Sequence, residues 1–197
     1  LKQMIMKKLM MAAALAVASL SANAQVYLGG GINFGTSKPA HAEGYDPEST
    51  TSIGLRPEIG YKLDDQISFG IGLGYNHSKT GDYKTDNFSI EPYLRYTFAR
   101  WNNVSFFGEA GFGYTHSENN VDLDDNHTLT KDKVNTWYIG VRPGIAVDLT
   151  KNFTLLTKIG WLGYKSSKPD VDHYKASSDF GLNLSGENIQ FSLLYNF

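Results

Sequence analysis

The sequence predicts an all-β fold, namely an eight-stranded antiparallel up-and-down transmembrane β-barrel. First, apolar side chains alternate with small or charged ones through eight segments, which is the period of a β-strand. Second, short turns alternate with long polar connections, as they do in barrels that cross a membrane. Third, aromatic residues stand at the ends of the apolar rows and aliphatic residues in the middle, which is how a lipid-facing surface is arranged.

The first 24 residues are predicted to form a secretory signal peptide that is cleaved from the chain. Lys7 and Lys8 precede an apolar run, and small residues follow it. A basic, an apolar and a small-residue region in this order is the pattern of a signal peptide. Cleavage is expected after Ala24, at the site formed by Ala22, Ala24 and Gln25. Residues 25–197 are then expected to form one barrel domain.

The composition of residues 25–197 limits the possible partners. They carry 15 basic and 20 acidic residues, a net charge of −5, so nucleic acid is not an expected partner. The chain has no cysteine, so disulfides contribute nothing to its stability. No other apolar run reaches the length of a membrane-spanning helix, so only strands are expected to cross a membrane.

Eight segments show the strand period, and each is long enough to cross the hydrocarbon layer at a tilt. An even number of strands places both ends of the chain on the same side of the membrane. The segments are 25–35, 52–63, 66–76, 87–98, 104–114, 136–149, 152–164 and 180–197.

The last two segments depart from regular alternation. The seventh includes Trp161 in its outward apolar row, although Leu156 falls out of phase. In the eighth, apolar residues occupy even positions at 180–184 and odd positions at 189–197. A bulge near Gly186, or a loop that reaches this residue, would account for the change of phase.

The connections between segments alternate in length and chemistry. Three are short turns, at 64–65, 99–103 and 150–152. Four are long and polar, at 36–50, 77–86, 116–133 and 165–179. Outer-membrane barrels have tight turns on the periplasmic side and longer loops outside, so the long connections are expected to form outer loops.

Charged residues and glycines occupy the face opposite the apolar rows, near the middle of the strands. In an eight-stranded barrel the lumen is just wide enough for side chains to fill. Three acids and four bases can pair there, and the facing glycines leave room for these long side chains. The predicted lumen charge network consists of Arg56, Glu58, Glu91, Arg95, Glu109, Arg142 and Lys158.

A soluble barrel that carries a ligand is the main alternative fold, because its strands alternate in the same way. Its water-facing surface would then be the glycine-rich face, which makes poor strands. The membrane orientation is therefore preferred. Pro57, Pro92 and Pro143 fall on the outward register, where each is expected to cause a local bulge or a missing ladder bond.

Three stretches carry a resemblance to a known family: LRPEIGYKLDDQISFGIGLGY (55–75), IEPYLRYTFARWNNVSFFGEAGFGY (90–114) and VRPGIAVDLTKNFTLLTKIGWLGY (141–164). The chain resembles the outer-membrane β-barrel domain proteins abundant in Bacteroidetes, which are relatives of the OmpA/OmpX-type barrels. This resemblance implies an eight-stranded barrel in the outer membrane of a Gram-negative cell. The C-terminal residues Phe191, Leu193, Tyr195 and Phe197 look like the assembly signal of such proteins, which the barrel-assembly machinery recognises.

No catalytic, cofactor or metal site is expected. The sequence Asp122–His127 has part of a calcium-loop pattern, but His127 replaces the glycine and Lys133 the bidentate glutamate. The pairs His77–Ser78 and His116–Ser117 are adjacent in strands, so their side chains point to opposite faces and cannot act as base and nucleophile. The chain is not expected to be an enzyme.

The sequence leaves two functions open for a membrane barrel. In the first, the charge network plugs the lumen, and the outer loops, which contain Tyr45, Tyr83 and Tyr174, recognise a surface ligand. In the second, a looser network makes a narrow, porin-like channel for ions or small solutes. The protein is expected to be a monomer. Its expected partners are outer-membrane lipids, lipopolysaccharide, the barrel-assembly machinery and a host or cell-surface ligand.

Overall fold

The computed structural model describes residues 25–37, 48–122, 129–170, 175–184 and 189–197. The predicted signal peptide, with Ala22 and Ala24, lies outside these ranges. The described residues form ten antiparallel β-strand segments. In chain order these are β1 (Val26–Ser37), β2 (Thr50–Lys62), β3 (Ile67–Thr80), β4 (Tyr83–Trp101), β5 (Val104–Asp122), β6 (Leu129–Asp148), β7 (Phe153–Ile159), β8 (Trp161–Pro169), β9 (Ser177–Asn183) and β10 (Ile189–Asn196).

The ten segments build a closed barrel of eight strands. β1 to β6 are six consecutive barrel strands, each paired with the next. β7 and β8 both pair with β6 and together form the seventh barrel strand, while β9 and β10 form the eighth. The ladder from Tyr27↔Asn196 to Gly30↔Leu193 joins β1 to β10 and closes the ring. The predicted fold class is confirmed.

The three predicted short turns are present and have local hydrogen bonds. Asp64 Oδ1 accepts hydrogen bonds from the backbone N–H groups of Gln66 and Ile67, both at 2.7 Å. Thr150 Oγ1 accepts from the N–H of Phe153 at 3.0 Å in the same way. Asn102 has a φ of 52°, a conformation that asparagine tolerates in tight turns.

Two of the predicted long loops are largely strand instead. β3 and β4 continue to Thr80 and Tyr83 and are joined by a turn at Gly81, where φ is +55°. The β5–β6 ladder extends to Asp122↔Leu129. Polar residues on both faces of a hairpin suit strands that continue into water, where cross-strand pairs stabilise them. Length and polarity alone did not distinguish such a hairpin from a loop.

Pro57, Pro92 and Pro143 each coincide with an interruption of the ladder on one side of the strand. The β2–β3 ladder has no pair at Pro57, and the β4–β5 ladder has none at Pro92, with the register unchanged on either side. β6 pairs with β8 up to Val141 and with β7 from Gly144 onwards. The registers of these two ladders differ by one residue, and Pro143 lies between them. Proline has no N–H to donate, so the predicted local defects are confirmed.

The bulge opposite Pro143 lies at Gly160, whose φ of +66° favours glycine. One extra residue reverses the alternation beyond it. Trp161 therefore lies in the lumen beside Gly140, and Leu162 and Tyr164 are exposed on the outside. The prediction that Trp161 belongs to the outward row was wrong, because the sequence pattern did not reveal this bulge.

The apolar rows face outward, and the opposite row is enclosed. Leu55, Ile71 and Leu94 are exposed on the outer surface, whereas Glu58 and Arg95 are buried. The predicted orientation of the two faces is therefore confirmed. Within the described ranges, no helix has the length and apolar character needed to cross a bilayer.

Candidate functional site

The seven residues of the predicted charge network all lie in the lumen, in two layers. The upper layer, towards the long hairpins, is centred on Glu91. Arg56 Nη2 lies 2.7 Å from Glu91 Oε2, Arg142 Nη1 lies 2.5 Å from Oε1, and the Tyr138 hydroxyl donates to Oε2. Two guanidinium groups thus share one carboxylate, and the upper layer carries one excess positive charge.

The lower layer is neutral and more deeply buried. Arg95 donates to Glu109 Oε2 from Nη2 at 2.7 Å and from Nε at 3.1 Å. Lys158 Nζ lies 2.8 Å from Glu109 Oε1, and both bases approach Glu58 Oε2, at 3.4 and 3.6 Å. Removing any one of these four side chains would leave an uncompensated buried charge. The stability of the layer therefore requires all four.

A floor of buried apolar side chains packs beneath the charged layers in the lumen. Its members are Tyr27, Tyr93, Phe107, Leu156 and Leu194, and all are at most 5% exposed. The Arg95 guanidinium lies 5.0 Å from the ring centroids of Tyr93 and Phe107, within the range of cation–π attraction. The hydroxyls of Tyr27 and Tyr93 are hydrogen-bonded to each other at 3.0 Å.

Sequence reasoning missed this floor. Its aromatic residues occupy the inward positions, together with the charged residues and glycines. Each is next in sequence to an outward apolar residue, such as Leu28, Leu94 or Phe106, and was therefore not distinguished from the lipid-facing residues. A signal was present, because an aromatic residue on the opposite parity from its row must point inward. The seventh segment gave a second signal, since Leu156 was out of phase there.

The lumen glycines accommodate these rings as well as the charged side chains. A Cβ at Gly60 would overlap the Tyr27 ring, and one at Gly144 would overlap the Phe107 ring. Glycine on one strand covered by an aromatic ring from the next is a known way of stabilising strands that contain glycine. The glycine-rich register is therefore required by the packing of the floor.

Cavities lie on both sides of the plugged middle. On the side of the short turns, a cavity of about 210 Å³ is lined by turn residues, by floor residues such as Phe107, and by Arg95, which it reaches beside the floor. Above the floor, a cavity of about 380 Å³ is lined by polar residues together with Arg142 and Lys165. A third, of about 530 Å³, also lies above the floor and includes Arg56 and Gln190. The outer half of the lumen is therefore an open polar vestibule.

Two of the histidines lie on the outer extensions of the strands. His77 Nδ1 is 2.8 Å from Asp86 Oδ1, which also accepts a hydrogen bond from the Tyr75 hydroxyl at 2.7 Å. His116 Nδ1 is 2.7 Å from Asn135 Oδ1. These contacts join neighbouring strands on the outer surface, while the adjacent serines stand on the other face.

The remaining predicted sites fall partly outside the described residues. His41, His127, His173, Tyr45 and Tyr174 are outside, and no side chain of the calcium-loop pattern at 122–127 is described. Within the part of the chain that the structure describes, no three His, Cys, Asp or Glu side chains form a group that could hold a metal ion.

The C-terminal row lies on the outer surface of the barrel. Phe191, Leu193 and Tyr195 are exposed there. Tyr195 contacts Phe153 and Phe197 edge-on, with ring centroids 5.2 and 5.0 Å apart. The Phe197 N–H donates to the Val26 carbonyl at 3.1 Å, so the last residue also fastens the closing strand to the first.

Comparison with known proteins identifies the kind of barrel. A family model described as the outer membrane protein beta-barrel domain matches residues 9–197. No match was found among curated proteins.

Solved structures show the same fold at low sequence identity. Neisserial surface protein A (NspA) is 15% identical, with a TM-score of 0.51, and the match covers 89% of this chain and 98% of that one. The outer membrane protein OprG from Pseudomonas aeruginosa is 13% identical, with a TM-score of 0.52, covering 88% and 96%. The translocator domain of the autotransporter NalP from Neisseria meningitidis is 10% identical, with a TM-score of 0.52, covering 100% and 98%.

Proposed function

We propose that this chain, which belongs to the outer membrane protein β-barrel domain family, is a plugged barrel whose outer end serves surface recognition. Membership of the family places the protein in the outer membrane of a Gram-negative cell. The Bacteroidetes type, the kinship with OmpA/OmpX-type barrels and export by the signal peptide remain predictions from the sequence.

The buried middle of the lumen is the observation that carries this proposal. The neutral layer of Glu58, Arg95, Glu109 and Lys158 rests on the apolar floor, and all of these side chains are nearly inaccessible to water. A conducting path would have to cross both. Large aqueous channels need about sixteen strands, so a barrel of eight with this filling is best suited to a structural role and not to general transport.

The outer end supports the recognition part of the proposal. β5 and β6 are 19 and 20 residues long, whereas a tilted crossing of the hydrocarbon layer needs about 9–11. Their polar extensions therefore project beyond the bilayer. We propose that they contact lipopolysaccharide, a host surface or a neighbouring protein, that the barrel is a monomer, and that its role is not enzymatic.

The first prediction tests both parts of this function. The purified barrel is expected to give no steady conductance in planar bilayers, because the floor and the lower layer block the lumen. Cells whose barrel has residues 119–132 replaced by an Asn-Gly turn are expected to lose adhesion to host cells or to purified lipopolysaccharide. This replacement keeps the Glu118–Lys133 pair and removes only the top of the β5–β6 hairpin.

The matched control shortens a different hairpin, replacing residues 79–84 of β3 and β4 by the same turn. Both variants must remain folded, shown by a different gel mobility before and after boiling. Stable open levels that change on Glu91→Gln would support the narrow channel instead. Unchanged adhesion and envelope integrity in both shortened forms would contradict the recognition role.

The second prediction concerns the proposed assembly signal. Deletion of Phe197 is expected to reduce the amount of folded barrel in the outer membrane several-fold. The reason is that the proposed signal would lack the terminal aromatic residue that the barrel-assembly machinery recognises. Refolding of the purified chain into detergent is expected to fall much less, because there only the hydrogen bond to Val26 and the ring contact with Tyr195 are lost. Phe153→Ala is the control, since Phe153 also contacts Tyr195 but lies outside the terminal strand. Equal losses for the two variants in cells would show that Phe197 acts only through packing.

A further inference from the structure

The junction that closes the barrel is paired along only part of its length. β1 pairs with β2 as far as Ser37↔Thr50, and β10 pairs with β7 as far as Ile189↔Ile159. Between β1 and β10, however, the ladder ends at Gly30↔Leu193. Continuing that register would place residues 32–34 opposite 189–191. All six residues are described, and no ladder pair joins them.

A glycine conformation explains where the ladder ends. Gly30 has a φ of +152°, a value that residues with a side chain rarely adopt. It is the middle of three consecutive glycines, and a Cβ at Gly31 would overlap the Phe191 carbonyl oxygen. The two backbones thus touch at Gly31 without continuing the ladder. Glycine in a strand interior often marks such a bend or a close backbone approach.

The interruption exposes the outward residues of β1. Ile32 is 82% and Phe34 75% exposed, compared with 36% for Ile71 and 57% for Ile139, which are paired with neighbouring strands on both sides. Unpaired backbone is tolerated at membrane depth only where it lines a water-filled cavity or is covered by protein. Residues 32–34 meet this condition, because they line the cavity of about 530 Å³.

That cavity connects the two faces of the barrel wall. Its lining includes lumen residues such as Arg56 and Ser192 and outward residues such as Phe34 and Phe191. Residues from both faces can line one cavity only where the wall is open between them. The volume is within the usual range of about 300–1,000 Å³ for a small-molecule site.

The two ends of the cavity differ in chemistry. At the inner end, the Arg56 side chain is 25% exposed and shares the Glu91 carboxylate with Arg142, so one positive charge is uncompensated. The amide side chains of Asn33 and Gln190 lie nearby. At the outer end the lining is Ile32, Phe34, Leu55, Ile189 and Phe191. An anionic group fits the inner end, and an alkyl chain fits the outer end.

We propose that this lateral opening between β1 and β10 binds a single-chain amphiphile with an anionic head group, such as a long-chain fatty acid, from the outer leaflet. The carboxylate pairs with Arg56 inside the vestibule, and the acyl chain passes between the two unpaired strand edges. This inference does not rest on the surface-recognition role and concerns a different part of the molecule.

The third prediction tests this site with a fluorescent fatty acid. The barrel is reconstituted in phosphatidylcholine vesicles and titrated with cis-parinaric acid. Tryptophan is excited, and the emission of cis-parinaric acid that results from energy transfer is measured. Trp161 lines the neighbouring vestibule cavity and is a suitable energy donor. We expect saturable binding that oleic acid displaces. Arg56→Gln is expected to weaken binding about tenfold or more, the effect of losing one charged hydrogen bond, whereas Arg56→Lys retains it.

A second variant does not depend on the charge network. Gln190→Phe fills the cavity and is expected to abolish saturable binding, while Gln66→Phe, at a periplasmic turn, serves as its control. Lys62→Gln is the control for Arg56→Gln, because it removes a base from the same strand outside this cavity. Each variant is first shown to be folded by its gel mobility without boiling.

Two results would overturn the proposal. Emission that only follows partition into empty vesicles, or that is the same in wild type and Gln190→Phe, would show that no site exists. Equal binding of a two-chain phosphatidylcholine carrying the parinaroyl group would show that bilayer lipid, and not a single-chain anion, occupies the opening. Neither result would affect the conductance and adhesion tests of the proposed function.

Discussion

Glu109→Gln is expected to lower the free energy of unfolding of the barrel by about 3–5 kcal/mol, the usual cost of removing one partner from a buried ion pair. Glu109 contacts both Arg95 and Lys158, at 2.7 and 2.8 Å. Without its charge, the two bases share only Glu58, and the lower layer acquires one uncompensated positive charge. Burial prevents water from compensating for the loss.

The measurement is a urea titration of folded barrel in detergent micelles, followed by the difference in gel mobility between folded and unfolded forms. Glu118→Gln is the matched control, because it removes the same charge from an exposed pair with Lys133 at 3.4 Å. The contribution of such an exposed pair to stability is small, because water screens the two charges. A Glu109 effect no larger than that of Glu118 would mean that the lower layer does not hold the barrel together.

Phe107→Ala is expected to have the second largest effect, a loss of about 3–5 kcal/mol, as for other buried aromatic residues replaced by alanine. The Phe107 ring is 1% exposed, covers Gly144 and lies under the Arg95 guanidinium. Its removal leaves a cavity within a closed barrel, where the wall strands cannot collapse onto the space. The same urea titration measures the loss.

Phe106→Ala is the control for this substitution. Phe106 is the preceding residue of β5 but faces outward, where it is 37% exposed. Detergent chains fill the space that it leaves, so only part of the usual transfer free energy of about 1.5–3 kcal/mol is lost and no cavity forms. If both variants unfold at the same urea concentration, the floor is not a packed core.

The charge network shows how far a repeating pattern can be interpreted without coordinates. All seven charged residues were placed in the lumen by parity, because one face of a strand must differ in environment from the other when a barrel separates lipid from its interior. Their division into a layer centred on Glu91 and a layer centred on Glu109 was not predictable, because it depends on the stagger between strands that are distant in sequence.

Trp161 and the β3–β4 hairpin show where the pattern misleads. A single extra residue at Gly160 changed the face of the residues that follow it in the seventh barrel strand, and alternation alone does not mark such a point. The residues 77–86 were polar enough to be a loop, yet they pair as strands, because a hairpin above the membrane needs no apolar face.

The sequence by itself determined the fold class, the number of barrel strands and the face that the seven residues of the lumen charge network occupy. These properties follow from the two-residue period of a strand and from the contrast between lipid and lumen, which are local. The tertiary structure alone decided the aromatic floor, the two charge layers and the missing ladder between residues 32–34 of β1 and residues 189–191 of β10. These depend on strand register and on the closing contact between the two ends of the chain, where packing and not periodicity determines the outcome.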